Sequence, residues 1–537
     1  MDTSTSNPYI KKAEDGRLVI TQEGEEFLKR IVTDPKGQVY VFTNEAPPLI
    51  VAAAMARLSR RGDDLRTIYL DEFAAVGEEH AEDLMDRVIT AYGDDSVQQL
   101  GVLSFVVEEA SNLLTKVLEW GRLMSYLEQS TRYIFYDTLD ADGRHKYFTP
   151  NIKSPFSEHY REAMDSIFGL YSEVVRGVTA YVRQKFPEPA DPRERTAWLG
   201  ATRAQACDAA RPTLPAATKS TVGIVGSAQA VESLIRHMLA HPLEESHRVG
   251  ALILREARKV MPAFLKRADL PERGLAWVLY DKETAKTMRE ITQQNLPDIS
   301  RDFGDEVRLV DYTPKDELDL LPEMLFGKSN HSLKELKQAV SAWSDEKKQE
   351  IFLAYIGSRL NRRHKPGRAI EKAHYEWEIV GDYGTFRDLQ RHRMVDAWEW
   401  QNLTCAYGYD VPPLIVEAGF EEQFRKCFAI SESLVNELNN AGYVDEAQYA
   451  VLMGYKLRYR FMLNARAAFH FHELRTGPQG HPGYRRIVQK MHDELTRVHP
   501  MLGAAMKFVS KSGDPELTRL EAERATQLKL SLLDNKE

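Results

Sequence analysis

The chain carries one stretch of sequence twice, far apart, and that repetition limits its possible folds more than any single motif does. Residues 120–133 read WGRLMSYLEQSTRY and residues 391–404 read RHRMVDAWEWQNLT, with Arg122 over Arg393 and Glu128 over Glu399. The likeness extends to both sides. Upstream, VYVFTNEAPPLIVAAAMARLSR (39–60) has a second version in VRLVDYTPKDELDLLPEMLFGK (307–328), each an apolar strand-like run, a polar turn and a helical pattern. Downstream, ARPTLPAATKSTVGIVGSAQAVESLIRHM (210–238) lies over AQYAVLMGYKLRYRFMLNARAAFHFHELR (447–475), and Arg211 to Ser227 spans the same 16 residues as Gln448 to Asn464. A repeat of this length is a domain, so the chain reads as a tandem fusion and not a solenoid.

Length and charge agree with that organisation. A chain of 537 residues is too long for one core and predicts two or three domains. A net charge of −9 and a pI near 6.0 supply no basic field for a nucleic-acid polymer, while leaving room for a basic pocket around one small phosphate. Cys207, Cys405 and Cys427 lack paired spacing and any CxxC element, which excludes a disulfide framework and a zinc ribbon and suits a reducing compartment. The N-terminus has no apolar signal region, and the longest apolar stretch, Leu49 to Met55, falls far short of a membrane span. A soluble cytoplasmic protein is expected, with no membrane partner.

The expected organisation is an N-terminal extension over 1–35, a first unit over 36–268, a connecting helical segment over 269–305, a second unit over 306–511 and a C-terminal helix over 512–537. Long helical patterns dominate, as at 107–127 and 417–440, whereas strand-like runs such as VYVF and WEIV are short. The fold class predicted is α+β and helix-rich, with a small sheet packed by helices in each unit.

Polar residues cluster in the repeated motif. Ser125, Glu128, Ser130 and Arg132 fall in a stretch whose Ser and Gln content favours a loop after a helix. Hydroxyls and a guanidinium converging there suit a phosphate, because charge-assisted hydrogen bonds are the strong ones; a surface Ser/Arg turn is the bland alternative. Arg391, His392 and Arg393 follow FRDLQ in a helical context, where neighbours point to different sides and each alone could be a solvated face. His470, His472 and His481 could suggest a metal, but residues two apart diverge by roughly 200° around a helix, so His470 and His472 do not share a face and no metal site is expected.

Taken together, these residues resemble the pattern RHRxxSxNExSxRY of flavin-dependent thymidylate synthases, with opposite halves kept in the two copies. The first keeps Arg122, Ser125, Glu128, Ser130, Arg132 and Tyr133 but has Trp120 and Gly121 in place of Arg and His. The second keeps Arg391, His392, Arg393 and Glu399 but has Asp396, Trp398, Gln401, Leu403 and Thr404 elsewhere. The resemblance implies nucleotide binding by Arg122, Ser125, Glu128, Ser130, Arg132, Arg211 and Arg475, and flavin binding by Arg391, His392, Arg393, Asn464, Arg466, His470 and His481. At the first copy's equivalents of the late flavin-side positions stand Ser227, Gln229 and Met238, and the second copy has Gln448 opposite Arg211. The family's folate-side His meets Leu100 in the first copy and His374, displaced by three, in the second. No Pro-Cys-His segment is present, so no protein nucleophile is expected and the chemistry falls to the flavin.

The family's sites are assembled from several subunits, and two fused copies that always face one another need each keep only one half. The expectation is therefore an FAD-dependent thymidylate synthase that methylates dUMP with methylene-tetrahydrofolate and NADPH, working as a homodimer that forms a pseudo-tetramer. A flavin-dependent methyl- or hydroxymethyltransferase on another pyrimidine nucleotide, and a non-catalytic flavin- or nucleotide-binding homologue, are the alternatives.

Overall fold

The computed structural model describes residues 7–58, 60–74, 95–296, 302–514 and 519–534, with 300 and 517; residues 1–6 of the expected extension lie outside them. The elements that matter here, numbered in chain order, begin with β1 (Ile10–Lys12), β2 (Leu18–Ile20) and α1 (Gln22–Ile31). The first copy follows with β3 (Val102–Ser111), α2 (Asn112–Leu118), β4 (Met124–Glu128), α3 (Phe156–Lys185), α4 (Arg195–Ala210), β5 (Lys219–Ser227) and α5 (Ala228–Ala240). After α6 (Gly274–Asn295) comes the second, with β6 (Val307–Thr313), β7 (His374–Asp382), α7 (Tyr383–Gln390), β8 (Asp396–Trp400), α8 (Glu421–Asn440), β9 (Lys456–Asn464) and α9 (Ala465–Arg475). Helices α10 (Pro482–Val498) and α11 (Leu520–Asp534) complete the set.

The duplication holds in three dimensions. The sheets run in the orders β3-β5-β4 and β6-β7-β9-β8, so β7-β9-β8 repeats the first sheet and β6 is added at its edge. Register agrees as well: Ser125 lies opposite Val225, and at the equivalent positions Asp396 lies opposite Met462. In both copies a strand runs straight into a capped helix. Ser111 caps α2 and Asp382 caps α7, while Ser227 caps α5 and Asn464 caps α9. The capping residue changes between copies but stays among the types whose side-chain oxygen can accept a first-turn N–H.

Residue contacts divide the chain into two compact units. One comprises 1–108, 120–128 and 221–299, the other 109–119, 129–220 and 300–537. The first unit contains the β1–β2 hairpin, β4, α5, α6 and most of β3 and β5. In the second, β9 alternates throughout and β7 from His374 to Ile379, burying Tyr375, Trp377, Ile379, Leu457, Tyr459, Phe461 and Leu463 on one face. The opposite face carries cross-strand ion pairs, Arg458 to Glu378 at 2.6 Å and Arg460 to Glu376 at 3.0 Å.

Segments of both copies meet inside this second unit about a local twofold. Ala216 N–H donates to Val451 O and Ala217 N–H to Tyr449 O, both at 2.9 Å; reciprocally, Met453 N–H donates to Leu214 O at 2.8 Å and Gly454 N–H to Pro212 O at 2.9 Å. Each donor and acceptor in the first pair of bonds is the repeat equivalent of one in the second, which is the mark of an isologous contact. Around it α3 packs antiparallel on α8, tied by His159 to Glu437 at 2.7 Å and Gln423 to Glu173 at 3.0 Å. The Tyr383 hydroxyl donates to Asn112 O at 2.8 Å and Gln390 Nε2 to Lys116 O at 3.0 Å, which joins α7 to α2.

Three expectations need correction. The single helix predicted over 107–127 is the end of β3, then α2, a turn and β4: Ser111 caps a new helix, and the alternating burial of 124–128 is that of a strand. The helix predicted over 417–440 breaks at Gly419, whose φ of +79° ends one short helix before α8 begins. VYVF forms no strand beyond an isolated bridge from Phe42 to Val32, with Val39 and Val41 left exposed.

Gly454 is a test of the local twofold. A Cβ there would stand 2.7 Å from Pro212 Cβ and 3.1 Å from Pro212 O, neither of which can swing away, while its equivalent Ala217 is accommodated. Gly454→Ala should destabilise the protein by about 1–3 kcal/mol, the usual cost of overpacking. Denaturant unfolding checks this; an unchanged or raised midpoint contradicts it.

Candidate functional site

Four arginines and two aspartates from both copies come together in the second unit. Arg132, in the turn after β4, is buried and bonded by Nε and Nη2 to the two carboxylate oxygens of Asp208 on α4, at 2.7 and 2.6 Å. Arg211, just beyond α4 and 3% exposed, donates from Nη1 to Asp388 Oδ2 of α7 at 3.0 Å, while its Nη2 is buried with no partner among the described residues. Gly384 makes this approach possible, since a Cβ there would sit 3.1 Å from Arg211 Nε. Burial would push the Asp388 carboxyl up, but the guanidiniums of Arg211, Arg391, Arg132 and Arg475 outweigh it and hold it well below the usual carboxylate range. Asp208 is likewise lowered against the penalty of burial, chiefly by Arg132. Two carboxylates against four guanidiniums leave an excess of positive charge, a setting for an anionic group.

Beside this cluster opens a cleft of about 220 Å³, lined by Arg391, His392 and Arg393 after α7, Asn464, Arg466 and His470 at the start of α9, and Lys365 and Glu371 among others. Six of the seven residues expected on the flavin side thus line it, and the seventh, His481, does not. Arg466 Nε donates to Pro366 O at 3.1 Å, and Asn464 Oδ1 accepts from Ala467 N–H at 2.8 Å as the cap of α9. His374 pairs in register with Asn464, across β7 and β9. The lining brings Lys365, Arg391, Arg393 and Arg466 together with one carboxylate, Glu371, a donor set that suits a diphosphate, and Val395, Leu463 and Phe471 give an apolar wall for a ring.

The state of His392 follows from its partner. Arg475 Nε donates to His392 Nε2 at 2.7 Å, and an arginine nitrogen has no lone pair to offer in return, so Nε2 accepts and the proton of a neutral ring sits on Nδ1. Its packed surroundings, then Arg475 and His470, hold the imidazole well below its ordinary pKa. His470 contacts it edge-on with ring centres 5.6 Å apart, while His472, two residues on, is fully buried. His481 caps α10 through Nδ1, accepting from Gly483 N–H at 3.1 Å, and burial with Arg211 nearby pushes it down to about 4. Burial raises the thiols of Cys207 and Cys427 to about 12 and that of Cys405 to about 11, so none supplies a thiolate at neutral pH.

The other predicted residues lie elsewhere. Arg122, Ser125 and Glu128 belong to the first unit. Ser125 and Glu128 were expected in one loop; instead they occupy β4, Ser125 exposed and Glu128 buried on the other face. Ser130 is half-buried two residues before Arg132, whose N–H its hydroxyl accepts at 3.2 Å. In the first copy Trp120 and Gly121 replace Arg391 and His392; Trp120 stacks on His237 with ring centres 4.2 Å apart, and Gln229 is bonded to Gln99 at 2.8 Å. Asp208, Asp388, Lys365 and Glu371 escaped the sequence reading. The two aspartates did leave a signal: Asp208 and Asp388 each precede an arginine, Arg211 and Arg391, by three residues, one helical turn.

Repeated three-strand cores and an arginine-rich site built from both halves define a duplicated α+β protein of the flavin-dependent thymidylate synthase type. The family model described as "Thymidylate synthase complementing protein" matches residues 41–263 and again 308–501, and the chain belongs to that family as a tandem duplication. A UPF0159 protein of Chlamydia muridarum is 31% identical over 523 residues, covering 94% of this chain and 98% of its own. A flavin-dependent thymidylate synthase of Thermococcus onnurineus is 28% identical over 107 residues, or 20% of this chain and 43% of its own. The crystal structure of a UMP/dUMP methylase, PolB, from Streptomyces cacaoi bound with 5-Br dUMP covers 37% of this chain and 93% of its own, at 15% identity and a TM-score of 0.31. Among the described residues no helix is long and apolar enough to cross a membrane.

The histidines set an acid limit on stability. Burial pushes His237, His241, His481 and His492 down to about 4. An unfolded imidazole takes its proton near pH 6.5, so protonation favours unfolding: the stabilisation is complete above that pH and is lost as pH falls towards 4. The lowered carboxyls of Asp208 and Asp388 lose theirs only at lower pH. His481→Asn, which keeps a capping oxygen, should move the acid-unfolding midpoint to lower pH; an unmoved midpoint contradicts the assignment.

Proposed function

We propose that the protein is an FAD-dependent thymidylate synthase, converting dUMP to dTMP with methylene-tetrahydrofolate as one-carbon donor and NADPH as reductant. The observation that carries this reading is the meeting of Arg132 and Arg211 from one copy with Arg391, His392 and Arg475 from the other around Asp208 and Asp388. Arg211, with Nη2 unpaired, takes the nucleotide phosphate, aided by Ser130 and by the Arg132 edge not engaged with Asp208. Arg475 faces the nucleotide while fixing His392 as a neutral ring with its proton on Nδ1. Lys365, Arg391, Arg393 and Arg466 hold the cofactor's phosphates, with Asn464, His470 and His392 at the ring. When bound, the flavin supplies hydride transfer; the chain's share is to bind, orient and exclude water.

A cleft of about 220 Å³ is below the roughly 300–1,000 Å³ of pockets that enclose a small-molecule or cofactor-sized ligand. The reading takes the assembly as a homodimer of fused copies, the common closed solution, with the second chain adding walls to this cleft. The test is dTMP formation by the purified yellow protein from dUMP, methylene-tetrahydrofolate and NADPH, together with about one FAD per chain at saturation. A colourless protein that takes up no FAD, or about two FAD per chain, contradicts the reading.

Variants should divide the two halves. Arg211→Ala should weaken dUMP binding roughly ten- to a hundredfold, the loss of one charge-assisted contact, and leave FAD bound. Arg466→Ala should lower FAD occupancy with little change for dUMP, whereas Gln229→Ala at the equivalent position should change neither. Loss of FAD on Gln229→Ala would show that both copies hold cofactor.

A further inference from the structure

The first unit encloses a second cavity, of about 210 Å³, lined by Gln229, Glu232 and Arg236 of α5, by Arg267, and by Arg273, Gly274 and Trp277 where α6 begins. It shares no lining residue with the cleft at His392. Glu232 is buried and its carboxylate holds Arg267 through contacts of 3.1 and 3.2 Å, while Gln98 Oε1 accepts from Arg267 Nη2 at 2.9 Å. That guanidinium is thus fixed in place by the fold itself. The Arg236 guanidinium lies 4.1 Å from the centre of the Trp277 ring, and its Nε is buried with no partner among the described residues. Trp277 is nevertheless 59% exposed.

A buried N–H without an acceptor and a large indole left in water are each unfavourable, and one ligand answers both. Three arginines against one glutamate call for an anion with more than one charge. An indole with Arg236 on one side offers its open side to a planar ring. From this arrangement we infer that the cavity binds a nucleoside phosphate, its phosphate at Arg236 and Arg273 and its base stacked on Trp277. The first turn of α6 lies at the same place, and its cap residue Arg273 makes no side-chain bond to the helix, which leaves that guanidinium for the phosphate.

The equivalent positions of the second copy carry different residues. There Arg466 and Glu473 stand at the positions of Gln229 and Arg236, and Glu473 is consumed by Arg359 through two bonds of 2.6 Å. The copy that lost the flavin-side residues is the one that carries the cavity. This site does not depend on the reaction proposed above.

Full-length protein with its flavin, in saturating dUMP, is titrated separately with ATP and dTTP; tryptophan emission is followed and bound nucleotide is counted by equilibrium dialysis. One added ATP or dTTP per chain should bind and quench emission. Trp277→Phe should abolish the quench, and Arg236→Ala should weaken binding at least about tenfold while flavin content is kept. Should Arg236→Ala fail to fold, the exposed Arg273→Ala serves in its place. The proposal is overturned by the absence of added binding up to millimolar nucleotide, by an equal quench in Trp277→Phe, or by unchanged affinity in a folded arginine variant. Inorganic tripolyphosphate binding as tightly as ATP also overturns it, because the base then contributes nothing.

Discussion

Four backbone hydrogen bonds between residues 212–217 and 449–454 hold the rest of this structure in place. Because each is matched by its repeat equivalent, the two copies meet as a homodimer would, although a single chain supplies both sides. These stretches and the residue after each receive α2 and α7: Asn112 N–H donates to Thr218 O and Leu113 N–H to Ala216 O, while Tyr383 N–H donates to Tyr455 O and Gly384 N–H to Met453 O. The start of α7, and with it Asp388, is therefore set by the contact between copies. Fusion fixes this arrangement, and a fixed arrangement frees each copy to change on the side that no longer serves.

The buried charges show what has been kept. Asp208 grips Arg132 within the first copy, while Asp388 of the second grips Arg211 of the first. Removing one partner of such a buried pair typically costs about 3–5 kcal/mol, because the other is left uncompensated. On the opposite side of the twofold the equivalents of Arg132 and Arg211 are Leu403 and Gln448, and Gln448 Oε1 merely accepts from Leu403 N–H at 3.1 Å. The two arginines survive on one side only, although Asp445 still stands at the position of Asp208. The asymmetry is that of one composite site, with Trp120 stacked on His237 where the other copy keeps Arg391 and a cleft.

Much of this is readable from sequence, for reasons that differ by element. The repeat survives in strand and helix patterns because packing constrains them, so β7 follows from WEIV. The residues that the resemblance assigns to a flavin are local in sequence and close to one another on α9 and after α7, so the motif found six residues of the cleft. The first-copy motif misled because a run of apolar and Glu residues at 102–111 fits helix or strand until Ser111 is seen to cap. Ser125 and Glu128 then fall on a strand, where a spacing of three places them on opposite faces. The pairing of Arg211 with Asp388 crosses 177 residues and no local pattern encodes it. What sequence does show is an aspartate one turn before each arginine, without saying whose partner it is.

Mixing two impaired variants tests most directly whether the residues proposed for the nucleotide and those proposed for the flavin meet within one chain. Arg211→Ala and His392→Ala chains would be co-expressed with different tags, the mixed assemblies isolated by tandem purification, and dTMP formation measured beside each variant alone. If Arg211 and His392 of one chain serve the same site, every site in the mixed assembly carries one lesion and activity stays at the level of the single variants. Recovery of activity in the mixed assemblies would mean that the halves come from different chains, and would contradict the account.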